Sequence, residues 1–280
     1  MTELEPELYL GALGQGEFFC FRERSPFGLL PFTVSRICLG TGSSGNRGPS
    51  QQAQQAEDLY SLLLVEAWRR GITFWDTADN YRTHPHIAKA LKQIPRDQVQ
   101  LTSKTYSRTA CETRADVERC LAELETSYID VLLLHEVDGC DEFEEKLPCL
   151  EELHRMKSEG LIRAVGVSTH SIDVLEKLVV HPLVEVVFTN YNLANQHMDA
   201  SMRDYEAALQ TAFDSGKAVY LHKTLNEGKL MDRYEEAIAF NLSRPFAHSV
   251  AVGIVKPQEL DRLLRCVGRP ETSSSLEAVQ

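Results

Sequence analysis

Four residues of different chemistry close or follow apolar runs of the chain. Asp76 ends "ITFWD", Tyr81 comes five residues later in "DTADNY", Lys104 ends "VQLTSK", and His135 ends "IDVLLLH". A carboxylate, a phenol, an amine and an imidazole together form a set suited to taking up, releasing and steadying protons. Each alone has a duller reading. Asp76 could cap a turn, Tyr81 could be packing, Lys104 could be a solvated strand end, and His135 could be a satisfied core histidine. Four of them in order at successive run ends outweigh those readings. Lysines at barrel strand ends also form Schiff bases, but the neighbouring Asp76 and Tyr81 favour proton transfer.

Such residues meet only if a scaffold brings the run ends together. From about residue 35 to 268 short apolar or β-branched runs alternate with longer amphipathic ones. The spacing predicts strands at 36–40, 72–76, 99–104, 129–135, 162–168, 184–188, 217–222 and 249–254. Between them "QAEDLYSLLLVEAWRRG", "HIAKALKQ", "TRADVERCLAELET", "FEEKLPCLEELHRMKSEG", "IDVLEKLVVH", "SMRDYEAALQTAFDSG", "RYEEAIAF" and "PQELDRLLRC" read as helices. Eight βα units in one stretch predict an α/β chain closed as a (β/α)8 TIM barrel, whose active site lies at the C-terminal strand ends. Residues 1–34, rich in aromatics and glycines, are expected to form an N-terminal hairpin capping the barrel. Residues 35–268 would be the barrel and 269–280 a flexible tail.

The bulk composition narrows the partners. The 280 residues carry a formal charge of −12, which disfavours nucleic acid and anionic membrane. Seven cysteines, none spaced C-x-x-C, read as reduced thiols of a cytoplasmic protein. "MTELEPELYL" lacks the pattern of a signal peptide, and no apolar run approaches the roughly 20 residues of a membrane span. His84 and His86 in "THPH" are spaced for chelation, but no third ligand presents itself, so no metal is expected.

Gly40, Gly42 and Gly45 in "LGTGSSG" spell G-x-G-x-x-G. That pattern marks a dinucleotide-binding turn only where a helix opens at the third glycine and an acid follows about 20 residues on. Here "NRGPS" delays the helix, and Asp76 is too far away. The glycines are better read as the end of the first barrel strand, giving room for a ligand beside Gly40 and Gly42.

"GITFWDTADNY", "LTSKT", "YIDVLLLH", "GLIRAVGVSTHS" and "NYNLANQ" resemble successive signatures of the aldo-keto reductase family, from about residue 35 to 265. The resemblance implies reversible reduction of aldehydes or ketones with a nicotinamide cofactor, usually NADPH with NADH possible, and a small carbonyl compound as partner. Hydride delivered to a carbonyl carbon builds negative charge on its oxygen, which needs a proton donor and oriented hydrogen bonds. Tyr81 would be the donor, and Lys104 would lower its pKa from about 10. Asp76 would hold Lys104, and His135 would orient the carbonyl.

By the same resemblance Gly40, Thr41, Asp76 and Ser168 lie toward the nicotinamide. His222 would stack on it, and Lys223, Leu225 and Gly228 would line the diphosphate. Lys256 and Arg262 would face a 2′-phosphate. Asn46, Arg47, Trp75, Arg82 and His84 are candidates for the substrate mouth, although alternation leaves Trp75 free to face either pocket or helices. Departures from the family pattern are Arg82 for a glycine, "THPHIAKAL" for an acidic position, Thr169 for an asparagine, Phe188 for a glutamine, and Glu259 where a phosphate would sit. They motivate a competing expectation: a cofactor-binding regulatory subunit on the same barrel with little turnover.

Overall fold

The computed structural model describes residues 18–43 and 48–271. In chain order its strands and helices are β1 (Phe18–Cys20), β2 (Arg24–Pro26), β3 (Thr33–Ser35), β4 (Ile37–Gly40), α1 (Glu57–Arg69), β5 (Phe74–Asp76), α2 (His84–Leu91), β6 (Gln100–Thr105), α3 (Ala110–Glu123), β7 (Ile129–Leu134), α4 (Cys140–Glu145), α5 (Leu147–Ser158), β8 (Ile162–Thr169), α6 (Ile172–Val180), β9 (Val186–Asn190), α7 (Met202–Asp214), β10 (Ala218–His222), α8 (Tyr234–Leu242), β11 (Ser249–Gly253), α9 (Pro257–Val267) and β12 (Arg269–Glu271). Strands β4 to β11 are parallel and close into a barrel, with β11 bonded to β4. The expected (β/α)8 barrel is therefore present, although one expected helix is split into α4 and α5 around Lys146. Pro148 stands at the start of α5, where a missing amide is harmless.

Alternation along the strands sorts the core into two shells. Cys38, Phe74, Val131, Leu133, Ala164, Val186, Phe188, Ala218, Tyr220 and Ala251 point inward and fill the barrel. Their neighbours, among them Leu39, Trp75, Leu101, Leu132, Val165, Val187, Val219 and Val252, point outward and pack under the helices. Both faces are buried, so the strands read as nearly continuous apolar runs.

The β2–β3 hairpin closes the N-terminal end of the barrel. Phe27 is wholly buried in the interior cluster, 5.3 Å from the Phe74 ring and 6.0 Å from Tyr220, with Leu30 and Phe32 packed beside it. Gly28 makes this seat possible. It has φ of +58°, and a Cβ there would stand 2.6 Å from the Ala218 nitrogen. Arg269–Glu271, within the stretch expected to be a loose tail, pairs antiparallel with Phe18–Cys20. Among the described residues no helix is long and apolar enough to cross a membrane.

Candidate active site

Continuing each inward register to the C-terminal end of its strand places Gly40, Asp76, Lys104, His135, Ser168, Asn190, His222 and Gly253 around one mouth. The register pairs Gly40 with Asp76, Gly40 with Gly253, and Asn190 with His222. The four residues first singled out do converge there. Lys104 is fully buried, and its Nζ donates to Asp76 Oδ1 at 2.6 Å and to the Thr77 carbonyl at 2.8 Å. The same nitrogen lies 4.9 Å from the centroid of the Tyr81 ring. Tyr81 meets His135 edge to face at 5.7 Å, and Tyr106 stacks on His135 at 4.4 Å.

Tyr81 closes a single 3-10 turn, Asp79–Tyr81, that no side chain caps. The chain leaves it through Arg82 in the left-handed region at φ 61°, a conformation costing a non-glycine residue about 1 kcal/mol. Side-chain ties hold the turn. Asp79 Oδ2 accepts from Arg119 at 2.8 Å, and Arg119 also donates to Asp116 at 2.9 Å. Asp116 in turn accepts from the hydroxyl of Thr105, the neighbour of Lys104. The turn carrying Tyr81 and the strand end carrying Lys104 thus share one anchor on α3.

Electrostatics departs from expectation at Tyr81. Burial, with the Asp76 and Glu136 carboxylates adding to it, pushes the phenol well above its usual range. Lys104 therefore does not leave Tyr81 with a lowered pKa: the negative neighbours and the loss of solvent win, and the phenol keeps its proton. Burial also raises Asp76, opposed by the charge and hydrogen bond of Lys104 and by the Tyr220 hydroxyl. His222 is pushed well below its usual range by burial and by the neighbouring cations and histidines, and so stays neutral.

Several expected site residues lie elsewhere. Trp75 faces the helices, its Nε1 donating to the Ile72 carbonyl at 3.0 Å, because the inward register belongs to Phe74 and Asp76. His84 is buried on α2 rather than at the mouth, between Glu123 at 2.7 Å and Ser103 at 3.2 Å. His86 is buried on the same helix, within 3.1 Å of the Gln55 carbonyl. Thr41 is spent on the Asp76 carbonyl and Thr83. Thr169 points outward to Asp138. Arg82, unlike these, follows Tyr81 directly and is exposed, which leaves it at the mouth. Asn46 and Arg47 lie outside the described residues.

The glycines also change meaning. A Cβ on Gly42 would lie 2.4 Å from Tyr81 Cε2, so Gly42 makes room for the tyrosine ring rather than for a ligand. Gly40 would meet only ordinary contacts at 3.6 Å.

The cofactor fit differs between the two halves of a dinucleotide. On the β10 side His222 Nε2 and Asn226 Oδ1 are buried without hydrogen-bond partners among the described residues, and nothing lies within 4 Å of a Cβ built on Gly228. Leu225 beside them is packed partly against the core. Unsatisfied buried polar atoms beside open space suit a polar ligand. Lys223 is paired with Glu227 at 2.7 Å. Phe188 cannot hydrogen-bond a carboxamide; it stacks on Tyr220 at 3.9 Å and tilts against His222 at 4.4 Å. Ser168 is buried at the mouth, its hydroxyl accepting the Glu136 amide at 2.8 Å. At the start of α9, Glu259 accepts the amides of Val255 at 2.7 Å and Lys256 at 3.2 Å. Arg262 is engaged by Glu235 and the Met231 carbonyl. A phosphate there meets a carboxylate already in place, with the exposed Lys256, which has no ion pair among the described residues, as the cation beside it in sequence.

Residues 36–279 match the model of the aldo/keto reductase family. The chain belongs to that family. It is 32% identical over 176 residues to a soybean protein, "Probable aldo-keto reductase 1", covering 55% of this chain but only 47% of that one. It is 25% identical over 231 residues to the NADH-specific methylglyoxal reductase of Escherichia coli, covering 74% of this chain and 69% of the relative. An aldo-keto reductase structure from Bacillus halodurans, in its holo form, superimposes with a TM-score of 0.74 at 19% identity. It covers 92% of this chain and 95% of that one. At that identity the likeness speaks for the barrel alone.

Sequence reasoning passed over Tyr220, Asn190, Tyr106 and Glu136. Counting back by two from His222 reaches Tyr220, and counting on by two from Phe188 reaches Asn190, so period-two counting could have found both. Tyr106 and Glu136 lie beyond their strands, where alternation gives no direction.

Proposed function

We propose that this aldo-keto reductase family member is a carbonyl reductase using a nicotinamide cofactor, with Tyr81 as proton donor. The observation that supports this most is the buried pairing of Lys104 with Asp76 directly beneath the Tyr81 ring and beside His135. A nicotinamide bound at the mouth would supply hydride to a carbonyl carbon. His222, Ser168, Asn226 and the open backbone at Gly228 are the residues to hold it, with Gly40 in the same ring of strand ends.

The chain's own residues then manage the oxygen. Tyr81 holds its proton throughout the neutral range, since burial and two carboxylates oppose its ionisation. The developing alkoxide is a stronger base than an ordinary phenolate, so the proton passes from Tyr81 to the new alcohol. Lys104, fixed by Asp76, places a positive charge beside the phenolate left behind. His135, held against Tyr106, stands across from Tyr81 to orient the carbonyl.

For the cofactor we favour NADH over NADPH. Glu259 occupies the amides that open α9 and would repel a 2′-phosphate, while Arg262 is committed to Glu235. The relative from Escherichia coli is NADH-specific by name. Small neutral carbonyls such as methylglyoxal are the first substrates to try, on the same likeness. The test is oxidation of NADH and NADPH by the purified protein with a panel of aldehydes and ketones, alongside dissociation constants for both cofactors. Turnover with tighter NADH binding is expected. Tight cofactor binding with no turnover on any carbonyl would instead favour a regulatory subunit.

A further inference from the structure

Tyr220 stands in the barrel interior, two residues below His222 on β10, and no solvent reaches it. Its hydroxyl crosses to β5 and donates to Asp76 Oδ2 at 2.9 Å. The other carboxylate oxygen takes Lys104. No further side-chain partner of Asp76 is found among the described residues. The Tyr220 ring is fixed on several sides: stacked on Phe188 at 3.9 Å and 12°, tilted on Phe74 at 5.2 Å, and edge-on to Phe27 at 6.0 Å. Phe188 in turn leans on His222 at the mouth. A column of rings therefore runs from the hairpin plug to the strand ends, with one polar atom in it aimed at Asp76.

We propose that Tyr220 is a positioning residue for the Asp76–Lys104 pair: its rigidly packed hydroxyl fixes the second carboxylate oxygen, so that Asp76 stays ionised and aims Lys104 at Tyr81. This rests on the reading of that cluster as a carbonyl-reducing site. A buried carboxylate is tolerated only when its oxygens are satisfied. Lys104 alone satisfies one. Without the Tyr220 hydroxyl, Oδ2 loses its hydrogen-bond donor, with the buried Thr102 hydroxyl beside Tyr220 making no bond to it, and Asp76 gains by taking up a proton. A protonated Asp76 no longer holds the lysine as an ion pair.

The groups that face Asp76 are Lys104 from β6, Tyr220 from β10, Cys38 from β4 and Tyr81 from the following turn. Burial pushes the Cys38 thiol and both phenols upward, which keeps them neutral. Among the described residues Lys104 is then the one charge opposing protonation of Asp76, and the Tyr220 hydroxyl is the second stabilising contact.

The test is Tyr220→Phe, which removes one oxygen and keeps the ring. The Asp76 carboxyl carbon is titrated by NMR in the protein without cofactor or substrate. Its midpoint is expected to rise by about one pH unit, the scale of one hydrogen bond to a charged group. In turnover, the acid limb of the kcat profile should move up by the same amount, and kcat should fall roughly tenfold below that limb, with the cofactor dissociation constant unchanged. Tyr60→Phe is the matched control. It removes a buried hydroxyl that donates to the Ile254 carbonyl at 2.9 Å, outside the barrel, and should move neither quantity. Should Tyr220→Phe not fold, 3-fluorotyrosine at position 220 replaces it; its stronger donor should lower the Asp76 midpoint. An Asp76 midpoint identical in wild type and variant overturns the proposal whatever the protein reduces. A shifted midpoint in a protein that turns over nothing leaves the positioning intact and removes the reductase reading.

Discussion

A ring as large as Tyr81 can sit over Lys104 only because residue 42 has no side chain. Gly42→Ala would drive a methyl into the ring edge and displace the hydroxyl by a fraction of an ångström or more. Misplacement on that scale lowers kcat by about tenfold to a hundredfold, while the cofactor dissociation constant should hardly change. Gly139→Ala, before α4, meets nothing tighter than 3.6 Å and should keep kcat within about twofold. Steady-state kinetics of the two variants checks both halves. At this scale the sequence pointed to the residues that meet at the mouth better than to what surrounds them. Asp76, Lys104 and His135 were readable because polar residues ending apolar runs are conspicuous. Trp75 could not be placed, because its direction depends on which neighbour takes the interior. The raised pKa of Tyr81 was hidden too, since it depends first on burial, then on Asp76 and on Glu136, which follows β7 in a left-handed turn that no pattern announces.

Whole elements set what reaches the mouth. The β10 segment brings His222 and the buried Asn226 amide to one side, while α9 begins with its own carboxylate folded over its first amides. Glu259→Gln removes that charge and leaves a side chain able to accept one amide. It should tighten NADPH binding by about tenfold relative to NADH, the effect of roughly 1.4 kcal/mol of relieved repulsion. A ratio of the two dissociation constants unchanged from wild type would show that no phosphate comes near α9. Strand and helix positions were legible from period and length, and every expected strand appears with its ends moved by two residues or fewer. The break between α4 and α5 was missed because "FEEKLPCLEELHRMKSEG" keeps a helical apolar pattern through Pro148. The pairing of β1 with β12 joins segments some 250 residues apart, beyond the reach of any local signal.

Across the whole molecule, the mouth stands at one end of the barrel and a sealed base at the other. His248 lies there, buried between Phe27 and the Phe213 ring, with its Nδ1 accepting the Val219 amide at 3.0 Å. Burial, with the Arg36 guanidinium adding to it, pushes its pKa down from 6.5 to about 4. The unfolded chain therefore binds this proton more readily than the folded one. Its contribution to stability is present in full above pH 6.5 and is lost as pH falls toward about 4, up to about 3 kcal/mol in all. Chemical denaturation at pH 7 and pH 4.5 should show a drop that His248→Gln reduces. An identical drop in both proteins would place the acid sensitivity elsewhere.

The central claim is that Tyr81 gives its proton to the reduced carbonyl. The most direct measurement is the turnover of Tyr81→Phe on the best carbonyl substrate, with the cofactor dissociation constant determined on the same preparation. We expect kcat to fall by about a hundredfold or more while cofactor binding stays within about twofold. A Tyr81→Phe protein that binds cofactor and reduces carbonyls at the wild-type rate would contradict it.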